Sequence, residues 1–305
     1  MNWLQAFVLG IIQGLTEFLP VSSSGHLAIG KAVLGVEPAG DLMFEVTVHA
    51  ATVLATIFVF RKQIWKLLCG LFKFKYNDET DYIAKICVSM IPVLIVGVFF
   101  KDWVEAAFGS LVVVGIALLV TALLLAFSDW KARRGLPVAA GNDVPGDAAV
   151  HGNDVVRGND AVVDDCSSAV MPGSTGHPTT RNGISFWQAL VVGVGQALAV
   201  IPGLSRSGTT ISTGLITGVK RENMAQFSFL MVLVPILGEM FLDIVGGEFA
   251  ASSVGVGPLV IGFVAAFFSG LFACKVMIAL VRKAQLKWFG LYCAIVGLLV
   301  LLFLA

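Results

Sequence analysis

The chain has 305 residues, 57% of them hydrophobic and only 13% charged, about half the charged fraction with which a soluble domain coats its surface. Its 20 basic and 20 acidic residues cancel to a formal net charge of zero, so there is no electrostatic footprint for nucleic acid. Five scattered cysteines (Cys69, Cys87, Cys166, Cys274, Cys293) lack C-x-x-C spacing, so neither a disulfide framework nor a zinc site follows.

In chain order, the start MNWLQAFVLG has no basic residue before Lys31. A cleavable signal peptide needs a positive start, so this segment is expected to remain in the mature protein. Residues 3–35 are apolar but interrupted by Pro20, three serines and Gly25. Three continuous apolar runs follow, at 42–60, 83–100 and 111–128. Each is near the ~20 residues that cross a bilayer as helix, and open strands are excluded because lipid cannot satisfy their backbone. Residues 137–184 are rich in Gly, Asp, Ser and Thr and read as a polar, mobile cytoplasmic loop. His151, Cys166 and His177 fall inside it without metal-ligand spacing. A second interrupted segment, 186–218, precedes three more apolar runs at 225–245, 257–281 and 288–304.

The two interrupted segments align without gaps at an offset of 183. Gln5, Gly10, Gln13, Ser22, Ser24, Gly25, Gly35 and Phe44 meet Gln188, Gly193, Gln196, Ser205, Ser207, Gly208, Gly218 and Phe227. Paired glutamines and a repeated Ser-x-Ser-Gly point to an internal repeat, about 1–128 and about 186–305, within one membrane domain. If each segment dips in and returns, the three intervening spans place the copies on opposite sides, which is inverted topology. The other reading is two kinked full spans, since Pro and Gly are tolerated in membrane helices. Most Lys and Arg residues, from Arg61 to Lys287, collect on one side, which should be cytoplasmic; Lys101 and Lys31 lie on the other. The expected fold is therefore all-α and polytopic: six transmembrane helices plus two re-entrant helix–loop–helix segments in inverted repeats, the first tip facing outward.

The first tip contains Gln13 and Glu17, four apart and so on one helix face. An ionisable residue amid apolar sequence signals function by default. Ser23 and His26 are three apart, within reach of a hydroxyl–imidazole hydrogen bond; Ser22 and Ser24 suit either a helix N-cap or a ligand. At the second tip, Pro202-Gly203-Leu204-Ser205-Arg206-Ser207-Gly208-Thr209 would open a helix whose free N–H groups favour an anion. Arg206 adds a fork matched to phosphate oxygens, and Ser205, Ser207, Gly208 and Thr209 could complete a cradle. Together the tips suit phosphoryl transfer. Arg206 binds the phosphoryl group, and Glu17 with Gln13 holds a divalent metal or orients a nucleophile. The attack comes from Ser23 activated by His26, or from water activated by His26 or Glu17. A site within a membrane implies a lipid-tailed substrate. Glu45 and His49, four apart in the next run, either back the pocket or pair with each other. Gly10 and Gly14 suggest helix packing.

QGLTEFLPVSSSGH at 13–26 and PGLSRSGTTIS at 202–212, with FEVTVH at 44–49 and FSFLMVLVP at 227–235, resemble the undecaprenyl-diphosphate phosphatases of the bacitracin-resistance type. The similarity runs along nearly the whole chain outside 137–184. It implies removal of the terminal phosphate from a polyprenyl diphosphate at the outer face of a prokaryotic cytoplasmic membrane, recycling the lipid carrier of cell-wall synthesis. It also implies Glu17, Ser23, His26 and Arg206 as catalytic residues, and dependence on a divalent metal, Mg²⁺ or Ca²⁺, held by Glu17 and Gln13. A homodimer is compatible with the resemblance. The family motif has Glu or Gln first and Glu last; Gln13 and Glu17 make this chain the single-carboxylate form. The competing class is a lipid-phosphate transporter or flippase, which shares broken helices and inverted repeats but requires no nucleophile and base.

Overall fold

A computed structural model describes residues 1–36, 42–108, 110–134, 181–246, 254–283 and 285–304; the expected 137–184 loop lies outside the described residues up to position 180. Among the described residues every regular element is a helix. Helix α1 (Trp3–Phe18) opens with a capping box in which Asn2 Oδ1 accepts from Gln5 N (2.8 Å) and Gln5 Oε1 accepts from Asn2 N (2.7 Å). It stops ahead of Pro20. Helix α2 (Ser23–Leu34) restarts behind the N-cap Ser22 and ends on left-handed Gly35. The two helices fold back on each other: Gln5 Nε2 donates to Leu34 O at 3.0 Å, and Gly30 lies against Leu9 and Ile12. The segment is a hairpin, not one kinked rod. Sixteen residues of α1 rise about 24 Å, short of a ~30 Å hydrocarbon core.

The same bonds recur 183 residues later. Helix α7 (Phe186–Leu198) opens with a Ser185–Gln188 capping box, and Gln188 Nε2 donates to Thr217 O at 2.9 Å. Helix α8 (Arg206–Ile216) restarts behind the N-cap Ser205, and Gly218 takes the left-handed place of Gly35. Gln5 and Gln188 thus close the two hairpins from equivalent positions, whereas Gln13 bonds Glu17 and its counterpart Gln196 has no partner among the described residues.

Between the hairpins run α3 (Leu42–Leu71), α4 (Asp78–Phe99), α5 (Lys101–Phe108) and α6 (Leu111–Arg134). After them come α9 (Arg221–Gly246), α10 (Val256–Lys283) and α11 (Lys287–Phe303). Among the described residues four helices, α3, α4, α6 and α10, are long and apolar enough to cross a membrane. The runs at 225–245 and 288–304 fall in α9 and α11; α11, at 17 residues, is shorter than a full span. Leu94, Val98, Leu123, Phe268 and Leu302 point outward. Apolar exposure on this scale has lipid as its solvent, and the chain is a polytopic membrane protein.

Each hairpin is seated on a helix from the other half of the chain, α1 along α10 and α7 along α4. Gly10 and Gly14 bring α1 against Gly262 and Ala266, as the G-x-x-x-G spacing predicts, and Gly193 brings α7 onto the backbone of Ser89.

Candidate active site

The tips of the hairpins meet. Ser207 Oγ donates to Leu19 O at 3.1 Å, and Gly203 N approaches Ser24 Oγ at 3.5 Å. Gly203 has φ +89°, and a Cβ there would stand 2.6 Å from Val114 O, so both backbone conformation and space demand glycine. Ser22, at φ 72°, is one of the non-glycine residues with positive φ. Such a conformation persists only where its surroundings hold it. Here Ser22 Oγ accepts from Gly25 N (3.2 Å), while its carbonyl accepts from His26 N (3.1 Å) and faces His26 Nδ1 (2.7 Å).

Glu17 sits at the centre of the first tip. Its Oε2 accepts from Ser23 Oγ at 2.6 Å and from Gln13 Nε2 at 2.9 Å, and His49 Nε2 lies 3.9 Å away. The expected Ser23–His26 bond is therefore not made. Ser23 begins α2 and its hydroxyl reaches back to α1, while the His26 ring turns to Ser22 O and to the Tyr292 hydroxyl of α11, 2.9 Å from Nε2. Glu45 and His49 do not pair through their side chains. His49 Nδ1 donates to the Glu45 carbonyl (2.8 Å), which aims Nε2 at Glu17, and the Glu45 carboxylate pairs with buried Lys31.

From the second tip, Arg206 opens α8 and brings its guanidinium to a cavity that Glu17 also lines. Thr52, Thr56 and Ser207 add polar groups; Phe18, Val53, Phe229, Val232, Leu233 and Ile236 form an apolar wall. Arg206 Nη1 and Thr209 Oγ1 are buried with no hydrogen-bond partner among the described residues, and a buried donor left idle costs roughly 1–3 kcal/mol or more unless a ligand satisfies it. Ser205 is committed differently: its Oγ caps Gly208 N at 3.0 Å. Ser22, Ser24, Ser205 and Ser207 thus cap helices or tie the tips together, leaving Arg206 and Thr209 with free bonding capacity.

Gln13 Oε1 is likewise buried without a partner, beside the Glu17 carboxylate. Two hard oxygen donors suit Mg²⁺ or Ca²⁺. No group of three or more His, Cys, Asp or Glu residues placed to hold a metal ion is found among the described residues, so an ion here would complete its shell with water and a phosphate ligand, the usual habit of Mg²⁺. Tyr292, Lys31 as the partner of Glu45, and the hydroxyls of Thr52 and Thr56 are neighbours of the site that no local motif announces.

The model of the family described as Bacitracin resistance protein BacA matches residues 6–299. The chain is 45% identical over 306 residues to a protein named undecaprenyl-diphosphatase from Bacteroides thetaiotaomicron, covering 99% of both chains. It is 47% identical over 302 residues to the protein of that name from Parabacteroides distasonis, covering 98% of this chain and 97% of the relative. A methanogen counterpart, from Methanococcus maripaludis, is 33% identical over 301 residues, covering 99% of this chain and all of the relative. With Glu17, bonded to Ser23, and Arg206 lining one cavity where two hairpin tips meet, and with a match spanning nearly its whole length, the chain belongs to the BacA family of bacitracin resistance proteins.

Proposed function

We propose that this protein is a membrane phosphatase that hydrolyses undecaprenyl diphosphate to undecaprenyl phosphate and inorganic phosphate. The observation that carries the mechanism is that Glu17, hydrogen-bonded to Ser23, and Arg206, with an idle guanidinium nitrogen, line one cavity. Arg206 and Thr209 take the oxygens of the terminal phosphate. Ser23 Oγ forms a bond to the terminal phosphorus as the bond from that phosphorus to the bridging oxygen breaks. The bridging oxygen leaves with the electron pair as undecaprenyl phosphate, and the serine proton passes to Glu17 Oε2. Water then attacks the phosphoserine phosphorus, its proton passing to His26, as the bond from phosphorus to Ser23 Oγ breaks; Ser23 recovers its proton from Glu17 and inorganic phosphate leaves. Glu17 and Gln13 would hold a divalent cation, which when bound supplies neutralisation of phosphate charge. A transporter would need neither the Ser23–Glu17 bond nor its proton transfer, and the relatives are named for the hydrolase.

In this reading α1–α2 and α7–α8 are re-entrant hairpins entering from opposite sides, and the site opens outward from a cytoplasmic membrane. The 183-residue recurrence of bonds and the excess of Lys and Arg on one side support that topology. The test uses purified protein in detergent with undecaprenyl diphosphate and Mg²⁺, following phosphate with and without chelator. Release that stops on chelation is expected. No release from folded, metal-supplied protein would sink the hydrolase.

A further inference from the structure

We propose that Tyr292 is a positioning residue that holds the plane of His26 and the lone pair on its Nε2, in the tautomer that the Ser22 carbonyl sets. The two side chains lie 266 residues apart in sequence and meet in two ways: Nε2 is 2.9 Å from the Tyr292 hydroxyl, and the rings stack with centroids 5.6 Å apart at 9°. The first contact has a direction. His26 Nδ1 faces the Ser22 carbonyl at 2.7 Å, which can only accept, so Nδ1 carries the hydrogen. In the neutral ring Nε2 then holds the lone pair, and the Tyr292 hydroxyl donates to it. Strained Ser22 and distant Tyr292 thus hold the imidazole at both nitrogens.

Helix α11 is placed to do this. It runs along α6, with Gly297 facing the Gly115 carbonyl at a distance that a Cβ would close to 2.9 Å. Cys293, which follows Tyr292, approaches Pro20 O at 3.7 Å, so α11 touches the first tip at two consecutive positions.

The proposal rests on His26 belonging to the reacting site. Its test pairs steady-state kinetics with a chemical probe that needs no activity: diethyl pyrocarbonate, which acylates an unprotonated imidazole nitrogen, followed on the His26 peptide by mass spectrometry. Tyr292→Phe keeps the stack and removes the donor. It is expected to lower kcat roughly 10-fold, the scale of one hydrogen bond, and to leave KM within about twofold. His26 acylation should quicken several-fold because Nε2 is freed. Tyr292→Leu, which removes the stack as well, should fall further in kcat. Unchanged acylation in Tyr292→Phe, or a loss carried by KM with kcat intact, would overturn the proposal. Wild-type kcat in His26→Ala would instead remove His26 from the mechanism, and the acylation rates would still decide whether Tyr292 holds it.

Discussion

Ser23 Oγ lies 2.6 Å from Glu17 Oε2, across the turn that contains Pro20. A hydroxyl donating to a carboxylate at that distance has the arrangement that the proposed mechanism requires of an activated serine. The carboxylate is held in turn by Gln13 and approached by His49, so its position is fixed from three helices.

Glu17→Gln preserves shape and removes the proton acceptor. Turnover of undecaprenyl diphosphate should fall by about 10²–10⁴, the usual contribution of a general base, with thermal stability in detergent unchanged. Phosphate release by purified variant and parent checks this.

Arg206→Lys keeps the charge and loses the planar fork. Because the guanidinium opens α8 and leaves Nη1 without a protein partner, the variant should lose roughly 10²-fold or more in kcat/KM. A lysine variant at the parental rate would show that charge alone suffices.

Gln13→Glu supplies a second carboxylate beside Glu17. If Gln13 Oε1 is a metal donor, the Mg²⁺ concentration for half-maximal activity should fall by about 10-fold, in keeping with the gain from added ligand charge. A titration of chelated protein with Mg²⁺ reads this directly. An unchanged midpoint would leave Gln13 as a hydrogen-bond donor to Glu17 and no more.

Gly203→Ala tests the junction of the tips. Its φ of +89° and the Val114 carbonyl leave no room for a methyl group, so unfolding in detergent should come at lower temperature by an amount corresponding to about 1–3 kcal/mol. Activity should fall with it, since Gly203 carries the loop that leads to Arg206.

The breaks and the repeat could be read from the sequence because their causes are local. Ser22 is the N-cap that its place after Pro20 suggested, Pro20 and Pro202 mark the breaks, and Gln5 and Gln188 keep equivalent partners in both copies; Asn2, Ser185 and Ser205 are N-caps that the sequence reading did not single out. Gln13 and Glu17 share a helix face and do meet. Local spacing misled at Ser23 and His26, where three residues along one helix suggested a pair. Ser23 lies at the very start of α2, so its side chain reaches α1, and His26 is drawn to a tyrosine on the last helix. Lys31 met Glu45 in the same manner, across two helices. Such contacts depend on how α2, α3 and α11 pack, and no periodicity within a segment encodes them.

The most direct test of the mechanism is rapid-quench mass spectrometry of the peptide bearing Ser23 during turnover of undecaprenyl diphosphate, with Ser23→Ala assayed alongside. The predicted result is a transient phosphate on Ser23 in the parent and loss of phosphate release in Ser23→Ala. Phosphate release by Ser23→Ala at the parental rate would contradict it and make water the nucleophile.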